Sequence, residues 1–514
     1  MNLSPIVLHR LFLPDSDMRE QGLRALVMAW TLSLLAVHLY ASKSLGFGDS
    51  EALYATYSLH PQATYVDHPG AVGLVFAALG RSPSRVHLLT SFLFLLDVFL
   101  FYRVSLALGA REKRALVGTF LFATVPALSI GLFALTPDAL LCPLWLLLTA
   151  AFARAQRHGK GLRWIFVTSF ASFVKVTFIP LALAMATAAY VSGRSSVALR
   201  TEESPHLVSQ RRILPALLFA TFSPVALLVA LDQSAMGAGM FHHRLFEHDA
   251  NAVAWWAGIP KTLLGQLLYL GPAAAVLGAL CLVPVWRSFR AAQEPKPLQL
   301  LFVIPFAILL TTSLLTPHSE PHWLTPAWIS LLLWLSVDDQ VTPLASSPGF
   351  VKTVASTNAL LSILAHAWIL LPIGPRFIPA HDLRYDIANE LYGWPQALAE
   401  LERVRTLFPK AAIVTPHWVL SAQVAAALGE SVGSNTPMRD DFDRWAPRET
   451  WRNADTNVWI FDARFETELE AVRSTHVIHQ SNVSTYRGGK LARGFKIVVT
   501  RKAPVEAPKS DVTE

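Results

Sequence analysis

Long apolar runs restrict the fold of this chain more than any other feature of its sequence. A helix needs about 20 mostly apolar residues to cross the hydrocarbon core of a bilayer. Only 15% of the 514 residues are charged and 53% are hydrophobic, whereas soluble domains carry roughly 25% charged residues. We therefore predict a polytopic α-helical membrane protein. The runs are residues 24–42, 86–108, 116–133, 139–153, 164–192, 212–232, 262–286, 299–316, 322–337 and 352–372.

Basic residues in the loops between these runs predict the topology. Clusters of Lys and Arg occur in the short loops that follow residues 108, 153, 192 and 286. The positive-inside rule places all four loops in the cytoplasm together with the N-terminus. Both ends of the 164–192 run are then cytoplasmic, so we predict that this run is a hairpin that turns near Lys175–Pro180. The result is about 11 transmembrane helices and an extracytoplasmic C-terminal region.

The composition changes after residue 374, where the long apolar runs stop and the charge rises. We predict a transmembrane domain over residues 1–374, a small extracytoplasmic α/β domain over 375–501, and a disordered tail rich in Pro and charge over 502–514. No catalytic constellation stands out in the sequence after residue 374. Within the α/β domain the apolar pattern predicts helices at 388–407 and 466–472 and strands at 411–415 and 458–461.

The first predicted outer loop, residues 43–85, brings several ionisable residues together: Asp49, Glu51, Asp67 and His68. Ionisable groups at a membrane boundary are costly unless they are solvated or paired, so a cluster of them indicates a functional site. An ordinary water-exposed loop is the other interpretation. Proline breaks in the loop predict two short helices, at 51–59 and 71–79.

Two further ionisable residues lie at or within apolar runs. Asp138 follows Pro137 at a predicted helix start, which is typical of a cap or first-turn residue, although a position lining a site also fits. Lys175 has apolar neighbours in the sequence. Its ammonium group either snorkels to the outer surface or neutralises an anionic phosphate.

Histidines mark a second predicted outer loop, residues 233–261. His242, His243 and His248 suggest zinc, but no carboxylate or cysteine completes a recognised ligand spacing. Arg244 lies among them, ahead of a tryptophan pair. A basic cluster beside tryptophans is typical of a membrane-interface loop that meets an anionic lipid head group.

A third polar stretch precedes the 322–337 run and contains His318, Glu320 and His322. Pro321 and Pro326 are placed where prolines are tolerated, at a helix start. The three ionisable residues are therefore either simple helix-start polar groups or contacts to a ligand.

Two of these stretches resemble a known family. Asp49, Glu51, Ala52 and Tyr54, followed by Tyr65-Val66-Asp67-His68-Pro69, resemble the first extracytoplasmic loop of the C-type membrane glycosyltransferases that use polyprenyl-phosphate sugars. These are the bacterial relatives of protein O-mannosyltransferase and of the lipid A aminoarabinose transferase. Pro321-His322-Trp323 with Pro326-Ala327-Trp328 is similar to a second stretch of that family. The family usually has adjacent Asp-Glu, whereas this chain has Asp49-Ser50-Glu51, which leaves open which carboxylate is the base.

The resemblance implies the C-type glycosyltransferase fold and sugar transfer with inversion at the outer face of a bacterial cytoplasmic membrane. The donor would be a sugar on a polyprenyl phosphate, and the acceptor lipid A or lipopolysaccharide, another glycolipid, or a protein. Asp49 is the predicted catalytic base and Glu51 the second candidate. The residues predicted to bind the donor phosphate are His68, Lys175, Arg244, His248 and His322. The other residues predicted to line the site are Tyr54, Asp67, Asp138, His318 and Glu320.

Partners and alternatives follow from the same features. Membrane lipids are expected partners, no Arg-rich or aromatic-interleaved stretch indicates nucleic acid, and a divalent cation is left open while no other cofactor is predicted. The rival function is a transporter or flippase of lipid-linked sugars, because charged groups along a path would also explain the sequence. A carrier is expected to show repeat symmetry between its halves, and none is visible. The predicted polar motifs also cluster on one side of the membrane.

Overall fold

The computed structural model describes residues 17–158, 162–198, 214–224, 226–227, 258–290, 296–315, 320–338, 347–377, 386–437, 440–465 and 476–502. The chain divides into two compact units. The helical unit comprises Met1–Lys43, Gln62–Val72 and Ser84–His366. The sheet unit comprises Ser44–Pro61, Gly73–Pro83 and Ala367–Glu514. Most of the predicted first outer loop thus belongs to the same unit as the C-terminal sheet.

Helices account for most of the described chain up to residue 377. Their bounds are α1 Asp17–Ser44, α2 Asp49–Tyr57, α3 Ala71–Leu79, α4 Pro83–Leu108, α5 Glu112–Thr124, α6 Pro126–Ser129, α7 Pro137–His158, α8 Leu162–Ser169, α9 Ile179–Ala198, α10 Leu214–Pro224, α11 Gly258–Leu270, α12 Pro272–Arg290, α13 Pro297–Leu315, α14 Thr325–Val337, α15 Pro348–Leu370 and α16 Ile373–Phe377.

Five of these helices are long and apolar enough to cross a membrane: α1, α4, α7, α13 and α15. Two further pairs pass the same test but are bent, α5 with α6 by 69° and α11 with α12 by 111°. The described residues therefore contain five to seven candidate spans. The helical membrane architecture is confirmed, and the total of about 11 helices stays a prediction. Much of the predicted 212–232 run lies outside the described residues.

Both bends have a local cause in the sequence. Gly271 has φ +84°, and a Cβ at this position would lie 2.2 Å from Oδ1 of Asn358, so only glycine fits there. Pro272 then begins α12 and has no N–H to continue α11. At the other bend Val125 is extended, with ψ 123°, as is usual for a residue before proline.

The 164–192 run is interrupted at Lys175, as predicted. Short 3₁₀ turns at Phe170–Phe173 and Val176–Phe178 separate α8 from α9, and Lys175 between them has an extended backbone. A helix of 8 residues and a helix of 20 residues therefore replace one long helix. The hairpin topology itself stays a prediction.

The 322–337 run forms a short helix that lies in the core. A 3₁₀ turn at Pro321–Leu324 leads into α14, whose 13 residues begin with Pro326 in the first turn, as the sequence predicts. All but two of the residues of α14 are buried, including Trp334. A helix that is apolar on every face is typical of a position inside the bundle. Trp145 of α7 and Ser330 of α14 are joined by a 2.9 Å hydrogen bond within that core.

The sheet unit has a mixed five-stranded sheet in the order β2-β1-β3-β5-β4. The β1 strand pairs in parallel with β2 and β3, and β5 pairs antiparallel with β3 and β4. Both predicted strands are confirmed. The elements are α17 Trp394–Leu407, β1 Ala412–Thr415, α18 Trp418–Leu428, β2 Gly433–Ser434, α19 Asp441–Trp445, α20 Arg448–Arg452, β3 Thr456–Asp462, β4 His476–Arg487 and β5 Lys490–Arg501.

Other predictions for this region need correction or lie outside the described residues. The predicted 388–407 helix begins only at Trp394. Gly393 before it has φ +84°, a left-handed conformation that cannot continue a right-handed helix, so the α-helix starts after it. The predicted 466–472 helix lies outside the described residues, as does the predicted tail beyond Lys502. The long β4–β5 hairpin was not predicted. Its turn is Gly488-Gly489, both with positive φ, a dipeptide typical of two-residue hairpins.

The two short loop helices are confirmed, at α2 and α3, and they position the candidate site. Before α2 the chain is fixed to the sheet unit by two hydrogen bonds. The Gly46 amide donates to the Leu391 carbonyl at 3.0 Å, and the Gln423 side-chain amide donates to the Phe47 carbonyl at 2.9 Å. The start of α2 is therefore held against residues that lie more than 340 positions later in the chain.

Candidate active site

Four predicted site residues of the helical unit lie together; we call them the Lys175 cluster (Asp138, Lys175, Glu320 and His322). Asp138 is in the first turn of α7, and its Oδ2 lies 2.7 Å from Nζ of Lys175. Nε2 of His322 lies 3.5 Å from the same Oδ2, and its Nδ1 lies 3.0 Å from Oε2 of Glu320. The helix start, the break at Lys175 and the turn before α14 thus converge.

Burial argues against one interpretation of Lys175, and its predicted contact with a phosphate stays a prediction. Its side chain is 3% exposed and that of Asp138 is 13% exposed, so the ammonium group does not snorkel to a surface but forms a buried ion pair. Oδ1 of Asp138 is also buried and has no hydrogen-bond partner among the described residues. A cavity of about 10 Å³ lined by Asp138, Cys142 and Thr325 borders it, which is space for one water at most.

The Tyr65–Gly70 stretch forms a tight turn within the helical unit. The Tyr65 amide donates to the His68 carbonyl at 2.8 Å, and the Gly70 amide donates to the Ala63 carbonyl at 2.8 Å. A Cβ at Gly70 would lie 2.1 Å from the Gln62 carbonyl oxygen, so the turn requires glycine. Asp67 and His68 are half-buried in this turn, and their predicted roles stay predictions.

A second group of charged residues lies in the sheet unit; we call it the Asp49 network (Asp49, Glu390, Asp462, Arg464 and Arg493). Nη1 of Arg464 donates to Oδ2 of Asp49 at 3.1 Å, and its Nη2 approaches Oδ1 at 3.5 Å. Nε of Arg464 donates to Oδ2 of Asp462 at 2.9 Å, and fully buried Arg493 donates to the same oxygen. The predicted base is thus held by a guanidinium group from the C-terminal half of the chain.

Glu390 completes the network through a hydrogen bond to Asp49. Burial, reinforced by the negative charge of Asp49, raises the pKa of Glu390 to about 8. The raised pKa favours the protonated form of Glu390, in which its O–H group can donate a hydrogen bond to the Asp49 carboxylate. Burial likewise lowers the pKa of the neighbouring His417 to about 4, so its imidazole is neutral. Its ring stacks on Phe465, with the ring centroids 4.1 Å apart.

Asp49 and Glu51 differ in their surroundings although only one residue separates them. Residues two apart on a helix do not face each other. Asp49 is in the first turn of α2 and enters the network, whereas Glu51 is 1% exposed within the same helix. Tyr54 is also buried, edge-on to Tyr57. The two carboxylates therefore have separate environments, and the choice of base stays a prediction.

Three predicted contacts, Arg244, His248 and His318, lie outside the described residues. The same holds for the histidines that suggested zinc. Within the described part of the chain, no three His, Cys, Asp or Glu side chains converge to hold a metal ion.

Sequence reasoning missed the partners of Asp49. No constellation was predicted after residue 374, yet Glu390, Arg464 and Arg493 all belong to this network. One signal was available, because Asp462 is the last residue of the apolar β3 strand and Arg464 comes just after it, and strand ends often present polar groups. Nothing in the sequence connects these positions to residue 49.

Comparison with solved structures identifies the fold. ArnT from Cupriavidus metallidurans, solved bound to undecaprenyl phosphate, matches with a TM-score of 0.56 at 14% identity. The match covers 92% of this chain and 98% of that one. The chain has the fold of a C-type membrane glycosyltransferase. The relationship predicted from the first outer loop and from the Pro321–Trp328 stretch is confirmed at the level of the fold.

Two other structures with the C-type fold match less well. One is the Saccharomyces cerevisiae protein O-mannosyltransferase Pmt1-Pmt2, solved with its sugar donor. The match covers 44% of this chain and 35% of the yeast chain, at 16% identity and a TM-score of 0.33. The other is the Archaeoglobus fulgidus oligosaccharyltransferase. That match covers 84% of this chain and 69% of the archaeal chain, at 12% identity and a TM-score of 0.44. At these scores neither adds to the argument. No protein-family model matches the chain, and no curated protein matches it.

Proposed function

We propose that this chain is a glycosyltransferase that moves a sugar from a polyprenyl-phosphate donor to an envelope acceptor. The observation that carries the proposal is the likeness in fold, over nearly the whole chain, to a protein solved with undecaprenyl phosphate. The acceptor is lipid A or lipopolysaccharide, another glycolipid, or a protein. The reaction takes place at the outer face of a bacterial cytoplasmic membrane.

Asp49 acts as the general base. The acceptor hydroxyl gives its proton to the Asp49 carboxylate while its oxygen attacks the anomeric carbon. The bond from that carbon to the phosphate oxygen breaks, its electron pair leaves with the polyprenyl phosphate, and the configuration inverts. A carboxylate is a weak base, so much of the acceleration comes from positioning. The two-point contact with Arg464 supplies such positioning.

The Lys175 cluster stabilises the negative charge that develops on the departing phosphate. Lys175 provides a fixed cation, and His322 provides a second when it is protonated. Within the cluster these face two carboxylates, Asp138 and Glu320. A phosphate therefore needs further cations, and Arg244, His248 and His68 are the residues predicted for that role.

The enzyme is favoured over the transporter because the fold likeness is to ArnT. The transporter explains the charged groups only as a path. It gives no reason for a carboxylate held by both a guanidinium and a protonated carboxyl group.

The test is release of polyprenyl phosphate from a panel of synthetic polyprenyl-phosphate sugars in the presence of cell-envelope extract. We expect at least one donor to be consumed by the wild type. Asp49→Asn should lower kcat by about 10²–10⁴-fold, the usual contribution of a general base. The control is Glu402→Gln, since Glu402 is exposed on α17 and pairs only locally with Arg405; it should react like the wild type. Absence of release from every donor would overturn the proposal.

A further inference from the structure

The Asp49 carboxylate has a second neighbour besides Arg464, the Glu390 carboxyl group, which the proposed mechanism does not use. Arg464 approaches both of its oxygens, at 3.1 and 3.5 Å, and Glu390 is hydrogen-bonded to it as well. The side chain of Asp49 nevertheless stays 16% exposed. One side of the carboxylate is thus fixed by protein groups, and part of it is left open for an acceptor hydroxyl.

We propose that Glu390 and Arg464 are positioning residues, and that the protonated Glu390 carboxyl holds the Asp49 carboxylate in the geometry required for catalysis. The inference rests on the proposed function and adds a regulation to it. Arg464 fixes the plane of the carboxylate, and Glu390 fixes its rotation. Loss of the Glu390 proton turns a donor into a second negative charge beside the base.

Glu390 is itself fixed by its surroundings. It lies at the end of the Ile387–Leu391 3₁₀ turn. The neighbouring backbone is fixed by the hydrogen bond between Gly46 and Leu391. Gly48, which precedes α2, passes close to it, since a Cβ on Gly48 would lie 3.3 Å from Oε1 of Glu390. The carboxyl group therefore has little freedom to turn away from Asp49.

The charges that face Glu390 come from three elements: Asp49 from α2, Arg464 from the end of β3, and Arg493 from β5. Asp462 pairs with both guanidinium groups, and His417 is neutral. With Glu390 protonated, the two arginines balance the two aspartates. Ionisation of Glu390 adds a negative charge that no cation of the network balances.

The expected consequence is a loss of activity at alkaline pH. Burial and the charge of Asp49 raise the pKa of Glu390 to about 8, so its proton is lost above that pH. For a single ionisation near pH 8, the protonated fraction falls about tenfold between pH 7 and pH 9. The kcat of the wild type should fall by about the same factor. The KM for the donor should change little, because the proposal gives Glu390 a contact with Asp49 and none with the donor.

The experiment compares the pH profile of kcat in the wild type, Glu390→Gln and Glu390→Ala. A glutamine amide donates a hydrogen bond at every pH, so Glu390→Gln should keep activity at pH 7 within about threefold and change less than about twofold up to pH 9. Glu390→Ala should have a low kcat at every pH tested. The control Glu402→Gln should lose kcat at alkaline pH as the wild type does. An unchanged alkaline fall in Glu390→Gln would overturn the inference.

A second readout does not depend on activity. The pKa of the Glu390 carboxyl group is about 4.5 in the unfolded chain and about 8 in the folded protein. Between these two pH values the group is protonated in the folded state and ionised in the unfolded state. The free energy of unfolding therefore falls as pH rises from about 5 to about 8, and the penalty is complete above pH 8. Glu390→Gln should abolish that part of the decline in detergent-purified protein, and Glu402→Gln should not. Equal slopes in wild type and Glu390→Gln would contradict a protonated Glu390.

The outcomes separate the two proposals. If the wild type consumes no donor, the proposed function is wrong. The pH dependence of the free energy of unfolding then still tests whether Glu390 is protonated. An active Asp49→Asn variant removes the base assignment. If Asp49→Asn is inactive and the kcat of Glu390→Gln still falls at alkaline pH as in the wild type, only the role proposed for Glu390 is wrong.

Discussion

The Lys175 cluster and the Asp49 network use the same kinds of side chain but are assembled differently. Lys175 and Asp138 are 37 residues apart and each marks a discontinuity between helices. Asp49 and Arg464 are 415 residues apart, and the second belongs to a sheet domain. The first group can be found by asking where helices start and break. The second exists only because Ser44–Pro61 folds into the same unit as the C-terminal sheet.

The electrostatic balance of the two groups differs as well. In the Lys175 cluster Lys175 pairs with Asp138 and His322 pairs with Glu320, so the lysine is its one permanent cation beside two carboxylates. In the Asp49 network two guanidinium groups balance two aspartates. Arginine matches a carboxylate with two parallel hydrogen bonds, and lysine acts as a point charge. The comparison indicates that the network fixes a geometry and that the cluster supplies a charge. Three substitutions test this distinction.

The largest effect on stability is expected from Lys175→Met. Removing one partner of a buried ion pair leaves an uncompensated charge and costs about 3–5 kcal/mol. The Lys175→Met/Asp138→Asn double variant should regain most of this loss. The measurement is thermal unfolding in detergent. The matched control is Lys296→Met, which breaks a pair of the same 2.7 Å length but whose lysine side chain is 57% exposed; it should cost less than about 1 kcal/mol.

The double variant also separates structure from function. If Lys175 binds the donor phosphate, the double variant should be inactive in sugar transfer even though its stability is restored. Full activity in that variant would show that the cluster is only an ion pair, and the comparison drawn above would fail.

An intermediate effect is expected from Arg464→Lys. Lysine keeps the charge but loses the two-point contact with Asp49, and misplacement of a reacting group by about 1 Å can cost about 10²-fold in rate. We expect kcat to fall by about 10–100-fold with the donor KM unchanged, measured as polyprenyl phosphate release. Arg403→Lys on the exposed face of α17 is the control, because Arg403 makes a two-point contact with Glu400 there, and it should be neutral. A rise in KM at constant kcat would instead indicate that Arg464 binds the donor.

The smallest effect is expected from Gly48→Ala. The new methyl group would lie 3.3 Å from Oε1 of Glu390, so the carboxyl group must shift by a few tenths of an ångström. We expect kcat to fall about threefold, by misalignment of Asp49. Gly131→Ala is the matched control, because nothing lies within 4 Å of its added Cβ. Equal behaviour of the two variants would show that the approach of Gly48 to Glu390 has no bearing on catalysis.

Local signals carried much of the sequence-based prediction. The loop helices, the break at Lys175, the helix start at Pro326 and the two buried strands follow from proline positions and apolar patterns, and all are confirmed. The parallel pairing of the two strands was not predicted. The late start of α17 shows the limit of such patterns. The run 388–407 is amphipathic throughout, but the positive φ of Gly393 interrupts it.

The helical membrane architecture and the likeness to C-type glycosyltransferases could be predicted from the sequence, because apolar length, prolines and short motifs are local signals. The choice of Asp49 as base stays a prediction. Tertiary structure alone decided that Glu390, Arg464 and Arg493 meet Asp49. Within the sheet unit, packing of the Gly46–Gly48 segment against Glu390 and Leu391 brings these charges together. Burial then sets the protonation of Glu390, and burial depends on neighbours that no local pattern names.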